Sequence, residues 1–336
     1  MSGAGARAGA IERVVVVEVP ATIANLGAGY DCLGMAIELE LQVEIAAVEG
    51  SEIELIVVGE GAGELPSNRT NRLVQALDAG LSAAGVEGAD GLGWRIRMTN
   101  RIPLSRGLGS SAAATVAGLL AASALARPDG EAGAREGGGA LSVPTILRLA
   151  TRFEGHPDNV APALLGGVAA SLELDDRVEA IRLDVPAGLT VVLFIPDATL
   201  STAAMRAVLP ASVPRSDAVA NLGRVAIGVA GLAAGRLDVL GLLTEDRLHE
   251  PYRAATLPAL PRLVAAAREA GALGACLAGA GSSVVAFVDR AEVVDQIRAA
   301  FERVGAAARV PNRIETVAPR NLGARVVQAL EGAPAP

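Results

Sequence analysis

Lysine is absent from this 336-residue sequence, in which all 29 basic residues are arginines. The chain therefore has no side-chain amine that could form a Schiff base or act as a general base. It also cannot form a Walker A loop, which requires a lysine before its Ser or Thr. These absences exclude several classes of enzyme.

Cysteine and histidine are almost as scarce. Cys32 and Cys276 are far apart and form no C-x-x-C motif, so the sequence predicts reduced, buried thiols. His156 and His249 are the only histidines, too few for a three-histidine zinc site. Any metal ion is therefore expected to be magnesium held by oxygen atoms.

Aromatic residues make up only 2% of the chain, whereas hydrophobic residues make up 51%. The core is therefore expected to consist of small aliphatic side chains. The net charge of −8 argues against a nucleic-acid partner. The N-terminus lacks the apolar segment of a signal peptide, and the uncharged stretch 107–126 is mostly Gly, Ala and Ser. We expect a cytoplasmic protein without a membrane span.

The hydrophobic pattern predicts an α+β fold with two domains. Strand-like alternation at 13–19, 36–48, 51–58 and 94–98 precedes helical patterns at 110–126 and 144–152. From about residue 189 the order becomes strand, helix, helix, strand, with a further helix and strand after it. We therefore predict one domain at 11–185 and a second at 186–330. A flexible glycine-rich insertion is predicted at 129–139.

The segment 103–111, PLSRGLGSS, joins a predicted strand to an Ala-rich helix, and we call it the glycine loop. Glycines let a ligand approach the backbone closely, and free N–H groups at a helix N-terminus attract anions. The loop has neither the Walker A pattern nor G-x-G-x-x-G. Ser110 and Ser111 offer hydroxyls instead, one of them to magnesium. On its own, however, the loop could equally be a turn that caps a packed helix.

Two further polar turns favour the anion-binding interpretation. Residues 20–31, PATIANLGAGYD, leave a strand through a glycine turn in which Asn25 and Asp31 are spaced to face one cavity. Residues 279–283, GAGSS, form another turn that suits an anion.

Together these three segments resemble the motifs of the GHMP kinases, the superfamily of galactokinase, homoserine kinase and mevalonate kinase. Four segments are similar to the homoserine kinase family in particular: ANLGAGYD at 24–31, RFEGHPDNVAPALLGG at 152–167, LSTAAMRAVLP at 200–210 and HEPYR at 249–253. The resemblance implies a first domain with a left-handed βαβ unit and a ferredoxin-like second domain, with the active site in the cleft between them.

The resemblance also implies which residues bind ATP and Mg²⁺. The residues expected to bind the nucleotide are Pro103, Leu104, Ser105, Arg106, Gly107, Leu108, Gly109, Ser110, Ser111, Ala112 and Ala113, with Asn71 as an adenine contact. Ser111 and Glu154 are expected to coordinate magnesium, with Ser111 favoured over Ser110.

The implied acceptor is L-homoserine. Asn25, Asp31, His156 and Asn159 are expected around its amino group and hydroxyl, Arg206 and Arg253 at its carboxylate, and Thr202 near the same site. An ammonium group requires an anion, and a carboxylate suits the planar fork of an arginine. Asp31, Glu154 and Asn159 are the expected catalytic residues.

The implied reaction transfers the γ-phosphoryl group of ATP to the side-chain hydroxyl of homoserine, giving O-phospho-L-homoserine for threonine biosynthesis. The expected partners are the small-molecule substrate and a second copy of the chain in a homodimer. Two alternatives stay open: another GHMP kinase acting on a sugar or isoprenoid alcohol, and a GHMP-like binding protein without catalytic activity. A neutral substrate would not require Arg206 and Arg253, and a non-catalytic protein is expected to lose its magnesium ligands or loop glycines.

Overall fold

The computed structural model describes residues 13–127 and 140–331. The predicted insertion at 129–139 lies outside the described residues.

Within the described residues the chain forms two β-sheets flanked by helices. The strands are β1 (Arg13–Ala24), β2 (Leu33–Val48), β3 (Ile53–Gly59), β4 (Gly93–Asn100), β5 (Val168–Glu173), β6 (Val178–Leu183), β7 (Thr190–Pro196), β8 (Gly274–Leu277), β9 (Val284–Val288), β10 (Asn312–Val317) and β11 (Arg325–Glu331). The helices are α1 (Arg72–Ala83), α2 (Ser110–Leu125), α3 (Val143–Glu154), α4 (Val160–Leu165), α5 (Thr202–Ala207), α6 (Arg215–Ala233), α7 (Leu240–Leu243), α8 (Glu250–Arg253), α9 (Leu260–Glu269) and α10 (Ala291–Ala308).

The first sheet has the strand order β11-β1-β2-β4-β3, and β5 extends from β2 and pairs with β6. The β-branched run at the start of β1 favours a strand, as predicted. The predicted range of 13–19 was too short, because the strand continues through Pro20 to Ala24. The register against β2 shifts between Pro20 and Ala21, and such a bulge accommodates a residue that cannot donate a ladder hydrogen bond.

β3 and β4 are parallel, and the chain between them forms α1. Asn71 caps this helix by accepting a hydrogen bond from the Leu73 N–H. The predicted helix after the glycine loop is α2, which is buried around most of its circumference and packs against α1, α3 and β1. Its small side chains allow this close packing. The left-handedness of the predicted βαβ unit stays a prediction.

The second sheet is antiparallel with the order β10-β7-β9-β8. The chain passes from β7 through helices to the β8-β9 hairpin, and then through α10 to β10. This is the predicted ferredoxin-like arrangement. α9 and α10 cover the sheet around a separate apolar cluster, in which the rings of Phe194 and Phe301 meet edge to face.

The last strand, β11, returns to the first sheet and pairs with β1. The division of the chain into 11–185 and 186–330 stays a prediction. Strands β6, β8 and β11 and the short helices α5, α7 and α8 were not predicted. Among the described residues, no helix is both long and apolar enough to cross a membrane.

Candidate active site

A cavity of about 710 Å³ lies where the glycine loop meets the second half of the chain. The glycine loop and the start of α2 form one part of its wall, and polar side chains from other segments form another part. The polar residues that line it include Asn71, Glu154, His156, Asp158, Asn159, Thr202, Arg206 and Arg253. Leu65, Pro66, Met98 and Phe153 add an apolar region. The cavity therefore joins an anion-binding loop to a cluster of charged side chains.

The glycine loop presents its backbone to this cavity. Gly107 and Gly109 have φ angles of +77° and +75°, which favour glycine. A Cβ atom on Gly107 would lie 2.0 Å from the Ala278 carbonyl oxygen, so the loop also requires glycine for space. Within the described residues, no acceptor is bonded to the backbone N–H groups of residues 107–112. These groups and the N-terminus of α2 form a site suited to phosphate oxygens.

Two of the predicted nucleotide residues do not line the cavity. Arg106 turns away from it: its Nε donates to the Pro196 carbonyl at 2.7 Å and its Nη2 to the Asp197 carbonyl at 2.6 Å. Arg106 thus fastens the glycine loop to the end of β7. Ala113 is fully buried in the core. The other predicted residues from Pro103 to Ala112 line the cavity.

Ser111 and Glu154 meet at the start of α2. The Ser111 hydroxyl donates to Glu154 Oε1 at 2.9 Å, and the Thr115 hydroxyl lies 2.9 Å from the same oxygen. Ser110 makes no side-chain hydrogen bond within the described residues. Hydroxyl and carboxylate oxygens are ligands that Mg²⁺ accepts, so Ser111 and Glu154 fit a magnesium site beside the phosphate-binding backbone.

The side-chain amide of Asn71 is already engaged. Its Oδ1 accepts from the Leu73 N–H at 3.0 Å, and its Nδ2 donates to the Pro66 carbonyl at 2.8 Å. Asn71 lines the cavity beside Leu65 and Pro66, and its role as an adenine contact stays a prediction.

Asp31 and Arg206 form a bidentate ion pair. Nη1 and Nη2 of Arg206 lie 2.9 and 2.7 Å from the two oxygens of Asp31. Nη1 also donates to the Tyr30 hydroxyl at 2.9 Å. Burial, followed by the charge of Asp31, raises the pKa of Tyr30, so this phenol stays neutral. Thr202 begins α5, which carries Arg206, and Ser201 caps that helix.

His156 and Asp158 are hydrogen bonded to each other. Burial lowers the pKa of His156, but the bond to Asp158 and the charge of that carboxylate outweigh burial and raise it. Asn159 follows, and its Oδ1 accepts from the Thr22 hydroxyl at 2.8 Å. Asp31, His156 and Asp158 have ligand atoms within 4.8 Å of one another, so two carboxylates lie close together beside the guanidinium of Arg206. Such a cluster suits an ammonium group.

Arg253 is buried and lines the cavity. Its Nη1 lies 3.0 Å from both the Gly279 carbonyl and His249 Nδ1, and its Nε is 3.3 Å from the Met205 carbonyl. In the part of the chain that the structure describes, no carboxylate forms an ion pair with it. Burial lowers its pKa, since the charged form is poorly solvated. An anionic ligand would compensate that charge.

Asn25 does not line the cavity but connects two of the three loops. Its Nδ2 donates to the Gly279 carbonyl at 3.0 Å, and its Oδ1 accepts from the Asp31 N–H at 3.0 Å. The expectation that Asn25 and Asp31 face one cavity was therefore wrong, since neither residue lines it; Asp31 instead pairs with Arg206, which does. Asn25 fixes the backbone that carries Asp31.

Five residues of the site were missed from the sequence: Thr22, Tyr30, Thr115, Asp158 and His249. Thr115 lies four residues after Ser111, a spacing that places both hydroxyls on one face of a helix. Tyr30, Asp158 and His249 lie inside segments that carried the family resemblance, so that signal was available. Thr22 lies in the segment 20–31, which also carried the resemblance, but no role was assigned to it.

Comparison with known proteins agrees with this geometry. Residues 71–167 match the family described as GHMP kinases N terminal domain, and residues 229–307 match GHMP kinases C terminal. The fold, the glycine loop and the cavity thus belong to a GHMP kinase.

Individual relatives indicate which family of GHMP kinases this chain belongs to. The homoserine kinase of Moorella thermoacetica is 43% identical over 316 residues, which cover 93% of this chain and 99% of the relative. That of Caldicellulosiruptor bescii is 38% identical over 82% of this chain and 85% of its own. A crystal structure of homoserine kinase from Cytophaga hutchinsonii, 27% identical, superposes with a TM-score of 0.79 over 97% of this chain and 100% of that one. The chain belongs to the homoserine kinase family.

Proposed function

We propose that this chain transfers the γ-phosphoryl group of ATP to the side-chain hydroxyl of L-homoserine, giving ADP and O-phospho-L-homoserine for threonine biosynthesis. The observation that carries the proposal is one cavity with two features. The backbone N–H groups of its glycine loop have no acceptor among the described residues, and both Arg206 and Arg253 lie in its wall. A phosphate donor and a charged acceptor can therefore be bound side by side.

The acceptor's zwitterion matches the charges of the site. Arg206 and Arg253 offer guanidinium groups to its carboxylate, and Asp31 with Asp158 offers negative charge to its ammonium group. His156, Asn159 and Thr202 are proposed to hold the hydroxyl and the amino group. Asn25 is proposed to act in substrate binding by holding the loop of Asp31 in place.

Positioning accounts for catalysis in this proposal. The homoserine oxygen forms a bond to the γ-phosphorus while the bond from that phosphorus to the bridging oxygen of ADP breaks, and the hydroxyl proton leaves to a phosphate oxygen or to solvent. The transition state of such a transfer is loose, so alignment and charge stabilisation are more important than a strong base. Asn159, which accepts from Thr22, is proposed to orient the hydroxyl.

Mg²⁺ would neutralise charge on the transferred phosphoryl group and on the departing diphosphate. Ser111 and Glu154 are the residues proposed to hold it, and Thr115 restrains the Glu154 carboxylate. Their oxygens lie beside the glycine loop, where the phosphates are expected.

A coupled assay of ADP release tests the proposal. Homoserine, mevalonate, galactose and threonine are offered to the same preparation at equal concentrations. We expect ADP release with homoserine well above that with the other alcohols, and no homoserine-dependent ADP release would refute the proposal. A sugar or mevalonate as the preferred acceptor would support the first alternative. ATP binding without turnover of any acceptor would support the non-catalytic one.

We also propose that the enzyme acts in the cytoplasm and forms a homodimer. Cys32 and Cys276 are free thiols, which agrees with a reducing compartment. Sedimentation equilibrium of the purified chain tests the dimer, and a monomer mass at micromolar concentration would contradict it.

A further inference from the structure

We propose that His249 is a positioning residue, which fixes the guanidinium of Arg253 for the substrate carboxylate and connects it to the loop of Asp31. This inference rests on the proposed function, since it assigns to Arg253 the carboxylate of homoserine. It concerns a residue that does not line the cavity itself.

Arg253 requires such a partner because no carboxylate among the described residues pairs with it. A buried guanidinium with several donors and no counter-ion depends on neutral acceptors for both solvation and orientation. Two backbone carbonyls, those of Gly279 and Met205, and one side-chain atom, His249 Nδ1, take this role. The histidine is the only one of the three that a mutation can remove directly.

The hydrogen bonds of His249 determine its tautomer. Arginine has no acceptor atom, so Nδ1 must accept from Arg253 and must lack a proton. Nε2 then carries the ring proton and donates it to the Gly27 carbonyl at 2.9 Å. The fully buried ring thus bridges Arg253 and the loop of residues 25–31. The ring of Tyr30 from the same loop lies 5.2 Å from that of His249 and also covers Arg253.

Asp246 holds His249 at the start of α8. Its Oδ2 accepts from the N–H groups of His249 and Glu250, both at 2.7 Å, and its Oδ1 accepts from that of Leu248 at 3.0 Å. Asn221 donates to the same carboxylate at 2.7 Å. The backbone of His249 is therefore fixed, and the hydrogen bonds of the ring to Arg253 and Gly27 set the direction of that ring.

Two substitutions separate the two hydrogen bonds of His249. In His249→Asn, the amide oxygen can occupy the place of Nδ1 and still accept from Arg253, while the bond to Gly27 is lost. In His249→Gln, the amide nitrogen can reach the place of Nε2 and donate to Gly27, while the acceptor for Arg253 is lost. The variants are matched controls for each other, since both replace a buried ring by a neutral amide.

We expect His249→Gln to raise the KM for homoserine about tenfold, with the KM for ATP unchanged. His249→Asn should keep the homoserine KM within about twofold of the native value. Equal increases in both variants, or no increase in His249→Gln, would overturn the inference. Native protein that releases no ADP with homoserine would instead refute the proposed function.

A measurement on the native chain does not depend on whether the variants fold. With ¹⁵N-labelled histidine, the two rings of His156 and His249 give separate signals, and His156→Gln assigns them. We expect the Nε2–H tautomer for His249 at neutral pH. The Nδ1–H tautomer or a doubly protonated ring would overturn the inference whatever the kinetics show.

Discussion

Arg206→Ala is the most direct test of how the site recognises its acceptor. Hydrogen bonds to charged groups typically contribute about 1.5–3 kcal/mol each. Arg206 is already bonded to both oxygens of Asp31 in the structure, and about one third of each side chain is exposed. Only the difference between these bonds and those to the substrate affects binding, and solvent screens both. We therefore expect a net loss of roughly 1–3 kcal/mol, or about 5- to 150-fold in the homoserine KM.

The assay is ADP release over a matrix of homoserine and ATP concentrations. A residue that binds the ground state and the transition state equally should change KM and leave kcat nearly constant. The KM for ATP should not change, because the phosphates are expected at the glycine loop. Arg236→Ala is the control, since Arg236 pairs with Asp238 on the surface away from the cavity. Its kinetics should match those of the native chain.

Homoserine amide makes the test specific for the carboxylate. The native enzyme should prefer homoserine over its amide, and Arg206→Ala should lose most of that preference. Arg206→Lys, which keeps the charge but not the planar fork, should be intermediate. Equal increases in the KM for ATP and homoserine, or an unchanged preference for homoserine over its amide, would refute the reasoning.

Three further predictions follow from the site and its supports. Ser111→Ala should raise the Mg²⁺ concentration needed for half-maximal activity by about tenfold, and Ser110→Ala should raise it far less. Magnesium titration measures both effects, and a larger effect at Ser110 would contradict the proposal that Ser111 is the magnesium ligand. Gly109→Ala should lower kcat/KM at least tenfold, because its Cβ would lie 2.0 Å from Thr22 Oγ1 at a φ of +75°. Steady-state kinetics measures this loss, and a native-like circular dichroism spectrum shows that the variant is folded. Full activity would disprove the prediction. Burial raises the pKa of Glu250 to about 8, so its folded state binds a proton more tightly than its unfolded state, and stability falls as pH rises from about 4.5 to 8. Glu250→Gln should therefore reduce the pH dependence of the free energy of unfolding, measured with urea, over that range. An unchanged slope of this free energy against pH would contradict the prediction.

The sequence predicted the glycine loop from its local pattern, whereas the pairing of Ser111 with Glu154, 43 residues apart, was implied only by the family resemblance. It favoured Ser111 over Ser110 as a metal ligand but could not give the reason. That reason is the helical phase of α2, which turns Ser111 and Thr115 together toward Glu154. The spacing of the two hydroxyls is visible in the sequence, but the contact of that helix face with Glu154 is visible only in the folded structure.

Contacts between distant segments were beyond sequence reasoning. Arg206 was expected at the substrate carboxylate, and the sequence did not indicate its ion pair with Asp31, which lies 175 residues away. Arg106 appeared as a phosphate contact, but its donors point to the carbonyls at the end of β7. β11 was missed for the same reason, since its pairing with β1 joins the two ends of the described chain.

The return of β11 to the first sheet affects how this enzyme could be divided. A fragment that ends near residue 185 would keep β1 but lose the strand that covers its outer edge. The exposed N–H and C=O groups of a long β-branched strand would then be free to pair with other copies, and such edges promote aggregation. The first half of the chain is therefore expected to remain soluble only when the second half has been synthesised and its last strand has docked. Synthesis and docking of β11, rather than emergence of the glycine loop, then set the earliest moment at which the ATP site is stable.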